Sequence, residues 1–554
     1  MEQFDFKFYK WEKELADQTF LRQPFGDTWE TYTWKEIGHM ARKIATGLQA
    51  LGLPPKSHIG LVSKNCREWI IADIAITMSG HVSVPFFPTL TADQISQVLT
   101  LGDVKALFVG KMEVWEDMGK GVPADMPIIK FPHYQGNSRV ERGEDWHEFM
   151  NRYEPLEGNP QPNLDDIWTI IFTSGTTGTP KGVILTYRQM ESTKVVIEET
   201  NPLKIDTKGG GNRFFSYLPL NHIAERIVVE ATSIRYGGTI SFSESLATFP
   251  KNLAETRPTV FFAVPRIWTK FQMGILSKIP QAKLDRLLKI PIVSGFVKKK
   301  IRKGLGLNDA KAWVSGAAPL SQSLRDWYKK LGIYITNGYG MTENAAICTT
   351  LYGFDDKPGS VGKAQAGATL KIDPDNGEIM MKAPYVMEGY YNAPEKTAEV
   401  LQDGWLRTGD QGYIDEDGYL FITGRIKDTF KTAKGKFIVP APIEFKFEQN
   451  SDVEQICLVG LGCPQPLALV VPSEIGIAKS KDQLKDSLNH TLTQVNKELP
   501  NYQKVSTMVV VKEPWSVENG CLTPTLKIKR NVVNQQYQEQ LMPWHEAPEQ
   551  VVIE

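Results

Sequence analysis

Ten residues, TSGTTGTPKG from Thr173 to Gly182, hold four threonines, one serine, three glycines, one proline and one lysine. A surface loop can have this composition for local backbone reasons alone. The composition also suits a phosphate cradle. Gly175 and Gly178 let backbone N–H groups point inward together. Thr173, Ser174, Thr176 and Thr177 add hydroxyls, and Lys181 adds one positive charge. The P-loop pattern G-x-x-x-x-G-K-[ST] is excluded, because Pro180 stands where its second glycine belongs and Gly182 follows the lysine. If this loop holds phosphate, it does so in another fold.

Further residues have chemistry to offer and a bland reading beside it. Glu343, three residues after Gly340, is a hard carboxylate of the kind Mg²⁺ takes, or a solvated surface acid. Asp410 follows a glycine, as turn aspartates do. His222 in LPLNH fits a structural role or a site. Lys527, Lys529 and Arg530 form a basic run that could be a solvated face.

The whole chain narrows the choice of partners. It has 554 residues, too many for one core, so two or more domains are expected. Its 63 basic and 64 acidic residues give a net charge of −1, with no general attraction to nucleic acid or an anionic membrane. The five cysteines lack C-x-x-C spacing and read as free thiols of a reducing cytoplasm. The charged N-terminus does not read as a signal peptide. The most apolar stretch, Trp69 to Phe87, is broken by Asp73, Gly80, His81 and Pro85, so a buried helix and strand are expected rather than a membrane span.

The elements that must position these residues alternate. Thr33 and Glu36 make a capping-box pair, and apolar residues at helical spacing run from Ile37 to Leu51 before Gly52. HIGLVSKN, VSVPFF and ALFVG read as strands with helices between them. FFSYLPL, TISFS, TVFFAVP, AWVSG and IYITNGYG read as later strands, several apolar throughout. The expected fold is α/β: a large N-terminal domain of helix-covered, mostly parallel sheets, whose strand ends at Thr173, Pro219, Pro265, Gly316 and Gly338 should border a ligand crevice. Residues 351–424 read as a small β-rich subregion. A small α+β C-terminal domain should follow, with strands ICLVG, LALVV and TMVVV and a helix near 481–498. The expected division is 1–424, a hinge at 425–427, and 428–554.

The chain resembles the adenylate-forming enzymes: acyl-CoA synthetases, aryl-CoA ligases, adenylation domains and firefly luciferase. The resemblance spans nearly the full length. It rests on TSGTTGTPKG, LPLNHIAER (218–226), SGAAPL (315–320), NGYGMTE (337–343), GWLRTGD (404–410), GRIKDTFKTAKGK (424–436) and LTPTLKIKR (522–530), in that order. It implies that a carboxylate attacks the α-phosphate of ATP, and that a thiol then displaces AMP. The 173–182 loop would hold the β- and γ-phosphates with Lys181 nearby. Thr342 and Glu343 would sit at the α-phosphate, with Glu343 and Thr173 at Mg²⁺. Gly316, Ala317 and Ala318 would leave a flat slot for adenine beside Asn337, Gly338 and Gly340, with Tyr339 stacking. Asp410 and Arg425 would reach the ribose. His222 would line the acyl site. Lys527 would be the mobile lysine of the first half-reaction. Lys427 would be the hinge of a rotating C-terminal domain, and the loop near Gly435 would then face the coenzyme A tunnel.

Among the family's branches, FFAVPRIWTKF (261–271), LPLNHIAER and LTPTLKIKR look most like long-chain fatty acid:CoA ligases. Candidate tunnel residues are Phe214, Phe215, Ile227, Val228, Val229, Phe261 and Phe262, each of which also suits the core. The five bases among Lys298–Lys303 read first as a solvated helix face; the second expectation is transient contact at the inner membrane surface. No nucleic-acid partner and no transmembrane segment are expected. The alternatives are the same chemistry on a medium-chain or aryl acid, transfer to a carrier-protein thiol, or a non-catalytic acyl- or nucleotide-binding protein.

Overall fold

A computed structural model describes residues 2–173, 179–516, 519–523 and 527–554. The local signals act as read. Thr33 Oγ1 accepts the Glu36 N–H at 3.2 Å, and the Glu36 carboxylate accepts the Thr33 N–H at 2.7 Å. The helix Trp34–Ala50 starts there and buries Ile37, Ala41, Ile44 and Leu48. The apolar stretch after Trp69 splits into the helix Arg67–Ser79 and the buried strand Val82–Phe86. Gly80, at φ 77°, makes the turn that a side chain would resist.

Two large sheets carry most of the fold. One has eight strands, with a parallel series from Ile167–Thr173 through Val82–Phe86, His58–Val62 and Val104–Val109. Lys181–Thr186 adds to its edge antiparallel to Ile167–Thr173, with Thr173 opposite Lys181. A strand therefore starts at Lys181, where a P-loop has a helix.

The second sheet has nine strands. Ile335–Tyr339, Ala312–Ser315, Val260–Phe262, Arg213–Ser216, Thr239–Phe242 and Thr19–Phe25 run parallel through its centre, and antiparallel strands lie at both edges. Several strands are shorter than their apolar runs. The chain leaves the sheet at Phe262, and Pro265 opens a helix.

A five-stranded antiparallel sheet follows, including Trp405–Ile414 and Leu420–Arg425. The last sheet joins Val453–Val459, Leu467–Pro472, Met508–Val510 and Val551–Ile553, with the helix Lys481–Glu498 packed on it. All five cysteines are buried and free. Among the described residues, no helix is long and apolar enough to cross a membrane.

Candidate active site

A continuous cleft of about 2930 Å³ runs between the ends of the parallel strands and the C-terminal sheet region. At one wall, Ser315 ends a strand and Gly316, Ala317 and Ala318 leave it. Ala317 has φ 65°. A Cβ on Gly316 would lie 3.0 Å from the Gly338 carbonyl oxygen, so only glycine lets the two strand ends approach this closely. Gly340 is tighter still, with a Cβ position 2.3 Å from the Ala346 backbone. Among the described residues, Ser315 Oγ and Asn337 Oδ1 are buried here without a hydrogen-bond partner. A flat slot edged by unsatisfied polar atoms fits a nucleotide base, which offers ring faces and hydrogen-bonding edges.

Beside the slot, pairing in the antiparallel sheet sets Asp410 opposite Arg425. Asp410 is 6% exposed, and both its oxygens are engaged. Tyr339 donates its hydroxyl to Oδ2 at 2.6 Å, and Arg425 Nε donates to Oδ1 at 2.9 Å. Burial, then the Asp410 charge, hold the Tyr339 phenol protonated far above its usual range. Tyr339 thus fixes Asp410, a contact separate from the stacking that the resemblance implies.

At the hairpin end, the Lys181 ammonium lies 4.6 Å from the Tyr390 ring centroid. The Tyr390 hydroxyl donates to Glu343 Oε1 at 2.8 Å. Burial lowers the Lys181 pKa, and the Glu343 charge opposes that shift. Lys427 lines the same cleft and also acts on Lys181. Thr342 is buried beside Glu343, and the Met387 N–H holds the Glu343 carbonyl at 2.8 Å. Among the described residues, no three His, Cys, Asp or Glu side chains could together hold a metal. Glu343 as a single carboxylate fits Mg²⁺, which keeps waters and takes its remaining ligands from substrate phosphates. Ser174, Gly175, Thr176, Thr177 and Gly178 lie outside the described residues. Thr173 is described, and its hydroxyl donates to the Lys181 carbonyl at 3.4 Å.

His222 caps the short helix Ile223–Glu225, its Nδ1 accepting the Ala224 N–H at 3.3 Å. The ring proton therefore sits on Nε2. Burial, then the charge of Lys527, lower its pKa to about 4, so the ring is neutral near pH 7. Next to it in the chain, Ile223, Ile227, Val228 and Ala231, with Val196 and Leu203, give the cleft an apolar wall. A π-helical turn, Arg226–Ala231, supplies much of that wall. Of the candidate tunnel residues, Ile227, Val228 and Phe262 line the cleft. Phe214, Phe215, Val229 and Phe261 are core, because they sit on covered faces.

Lys527 reaches the cleft from the C-terminal region. Its backbone N–H donates to Thr523 Oγ1 at 3.1 Å, and its carbonyl accepts the Thr523 N–H at 2.8 Å. The residue is exposed, and the protein around its ammonium partly desolvates it. That desolvation lowers its pKa first and Arg425 second, with Asp410 and Glu343 opposing. Arg530, by contrast, is tied to Glu444 at 2.6 and 2.8 Å and to the Leu458 carbonyl. Gly435, at φ 76°, turns a small hairpin and does not line the cleft. The structure thus gathers Lys181, Glu343, Asp410, Arg425, Lys427, His222 and Lys527 and leaves Gly435 outside.

Sequence reasoning missed three participants. Tyr390 fell in no motif considered. Glu225 and Arg226 sit inside LPLNHIAER, where charges in an apolar run were a usable signal. Arg226 is fully buried, bonded to Asp73 at 2.7 Å and Glu230 at 3.0 Å, beneath the π-helical wall.

A cleft between a two-sheet α/β body and a small C-terminal sheet, with a base slot, a hairpin lysine and a lysine brought from the far side, defines a nucleotide-dependent enzyme class. The AMP-binding enzyme model matches residues 8–391, and the AMP-binding enzyme C-terminal domain model matches 427–547. The chain belongs to the AMP-binding enzyme family. Similar curated proteins include a long-chain-fatty-acid–CoA ligase of Xenopus laevis, ACSBG2, 29% identical over 95% of this chain and 82% of the relative. Another, FadD15 of Mycobacterium bovis, is 27% identical over 96% and 94%. Among solved structures, the adenylation domain of a carboxylate reductase from Mycobacterium chelonae superposes with TM-score 0.79 at 23% identity, covering 98% of this chain and 90% of that one. The o-succinylbenzoate CoA synthetase of Bacillus subtilis, in complex with the acyl-adenylate intermediate OSB-AMP, gives 0.74 at 21%, covering 95% and 97%. At these identities the structural likeness is one of fold.

Proposed function

We propose that the protein is an ATP-dependent long-chain fatty acid:CoA ligase. The observation that carries this reading is the apolar wall of Ile223, Ile227, Val228 and Ala231 that follows a neutral His222, in the same cleft as Gly316, Tyr339 and Asp410. The names of the similar curated ligases support it.

In the first step a carboxylate oxygen attacks the α-phosphorus, the bond to the β-phosphate oxygen breaks, and pyrophosphate leaves. Two anions must approach, so positive charge and fixed donors have to offset their repulsion. Lys527, which lines the cleft, would neutralise the carboxylate and the α-phosphate where they meet. Lys181 and the hairpin loop would hold the leaving phosphates. Mg²⁺, held by Glu343 and phosphate oxygens, would neutralise further charge when bound. His222 offers an N–H donor without adding a proton that could be lost to the carboxylate. Asp410, steadied by Tyr339 and Arg425, would take the ribose hydroxyls.

In the second step the coenzyme A sulfur attacks the acyl carbon, the bond to AMP breaks, and the thiol proton is released. Rotation about Lys427 would bring the Gly435 hairpin to the cleft for this step. The protein would act as a cytoplasmic enzyme. The test is thioester formation with octanoate, palmitate, oleate and 4-coumarate. A preference of at least about tenfold for palmitate or oleate is expected from several further buried methylenes. A preference for 4-coumarate would replace the acid while keeping the chemistry. Adenylate formed without thioester would point to a carrier-protein thiol.

A further inference from the structure

Residues 265–304 contain eleven lysines and arginines against one acid, Asp285, in a chain whose net charge is −1. They fold into three consecutive helices, Pro265–Leu276, Gln281–Lys289 and Pro291–Gly304. Among the described residues, Arg266 is the one base of the segment with an ion-pair partner, Glu454. Most of the other bases are exposed, while Lys298 and Arg302 are half-buried and Arg302 donates to the Gly332 carbonyl.

The last helix adds apolar surface to it. Ser294, Val297 and Ile301 are buried on one side. On the opposite side, Ile292, Phe296, Lys299 and Lys303 follow one another at i, i+4, i+7 and i+11, which puts them on one face. Ile292 is 89% exposed and Phe296 69%, and Ile290 just before the helix is 50% exposed. Single exposed apolar residues are ordinary. Three together, ending in a lysine cluster on the same face, are not explained by packing within this chain.

We propose that this face docks on the surface of an anionic phospholipid bilayer, with Ile290, Ile292 and Phe296 entering the acyl boundary and the lysines meeting the headgroups. Charge complementarity supplies the attraction. The apolar residues choose between polyanions, since a bilayer gives Phe296 and Ile292 an apolar phase and a nucleic-acid backbone does not. The basic segment begins at the cleft, because Arg266, in the first turn of Pro265–Leu276, lines it. Docking would therefore hold the cleft close to the phase in which apolar acids dissolve.

The test is flotation of the full-length protein with vesicles of phosphatidylcholine, with and without phosphatidylglycerol, at low and high salt. Binding is expected only with phosphatidylglycerol, and high salt should reverse it. Lys299→Gln, Lys300→Gln and Lys303→Gln together should weaken binding on the order of 100-fold, at about one kcal/mol per charge. Ile292→Ser with Phe296→Ser should weaken it by at least about tenfold. These side chains are on the surface, so circular dichroism should be unchanged in both variants. No binding to phosphatidylglycerol vesicles at low salt overturns the proposal. Loss in the lysine variant with full retention in the apolar variant also overturns it, and assigns the face to a soluble polyanion.

Discussion

Glu225 should make the protein lose stability as pH rises through a range where most proteins are steady. Its side chain is 1% exposed. One oxygen accepts the Ser216 hydroxyl at 2.8 Å and the Tyr217 N–H at 3.2 Å. The Ser216 proton is committed to this bond, because Ser216 Oγ itself accepts the Asn65 N–H at 2.8 Å. Burial outweighs these donors and raises the carboxyl pKa from 4.5 to about 8. Between those values the unfolded chain releases a proton that the folded chain keeps. Stability contributed by the neutral form is complete below about pH 4.5 and falls as pH rises to 8. At 1.36 kcal/mol per pKa unit the whole loss is on the order of 4–5 kcal/mol. Glu225→Gln keeps the acceptor oxygen and cannot ionise. Denaturant unfolding of wild type and variant at pH 5.5 and 8.5, read on the N-terminal domain transition, isolates the effect. The variant should gain about 3 kcal/mol on the wild type between the two pH values. A difference that does not change with pH would refute the reasoning, since the carboxylate would then be ionised at both.

Other expectations follow from single contacts. Asp410→Asn replaces one charged acceptor by an N–H that faces the donor of Tyr339 or Arg425. It should raise the KM for ATP by roughly 10- to 100-fold, from a loss of about 1.5–3 kcal/mol; a change below about threefold would remove Asp410 from the nucleotide site. Arg226→Met leaves Asp73 buried without its cation and should cost about 3–5 kcal/mol in unfolding free energy. Glu230→Gln should stay within about 1 kcal/mol of wild type, because burial already holds Glu230 protonated well above the usual carboxylate range. Equal losses in the two variants would contradict that protonation.

Local rules were legible in the sequence and tertiary partners were not. The Thr33–Glu36 pair, the apolar spacing after it and the glycine stop at Gly52 act over a few residues, and each appears where it was read. The small residues at the ends of AWVSG and IYITNGYG belong to neighbouring parallel strands, which is why Gly316 and Gly338 meet. Arg226 could not be placed the same way. Its partner Asp73 is 153 residues distant along the chain, and only the packing of two helices joins them. Which of the tunnel candidates are core, as each could equally be, was hidden for a related reason: a strand covered on both sides is apolar on both faces, so nothing in FFSYLPL says that Phe214 and Phe215 face the core. Tyr390 looked like any aromatic until the hairpin strand set Lys181 and Glu343 against it. Gly435 was legible as a turn, but its distance from the cleft depends on the orientation of a whole hairpin.

The measurement that tests the account most directly is acid-dependent exchange between ATP and pyrophosphate without coenzyme A. It uses octanoate, palmitate, oleate and 4-coumarate, for the wild type and for Lys527→Ala. The account predicts exchange that peaks with palmitate or oleate and falls by about 100-fold or more when the lysine is removed. Exchange that survives Lys527→Ala unchanged, or no exchange with any acid, would contradict it.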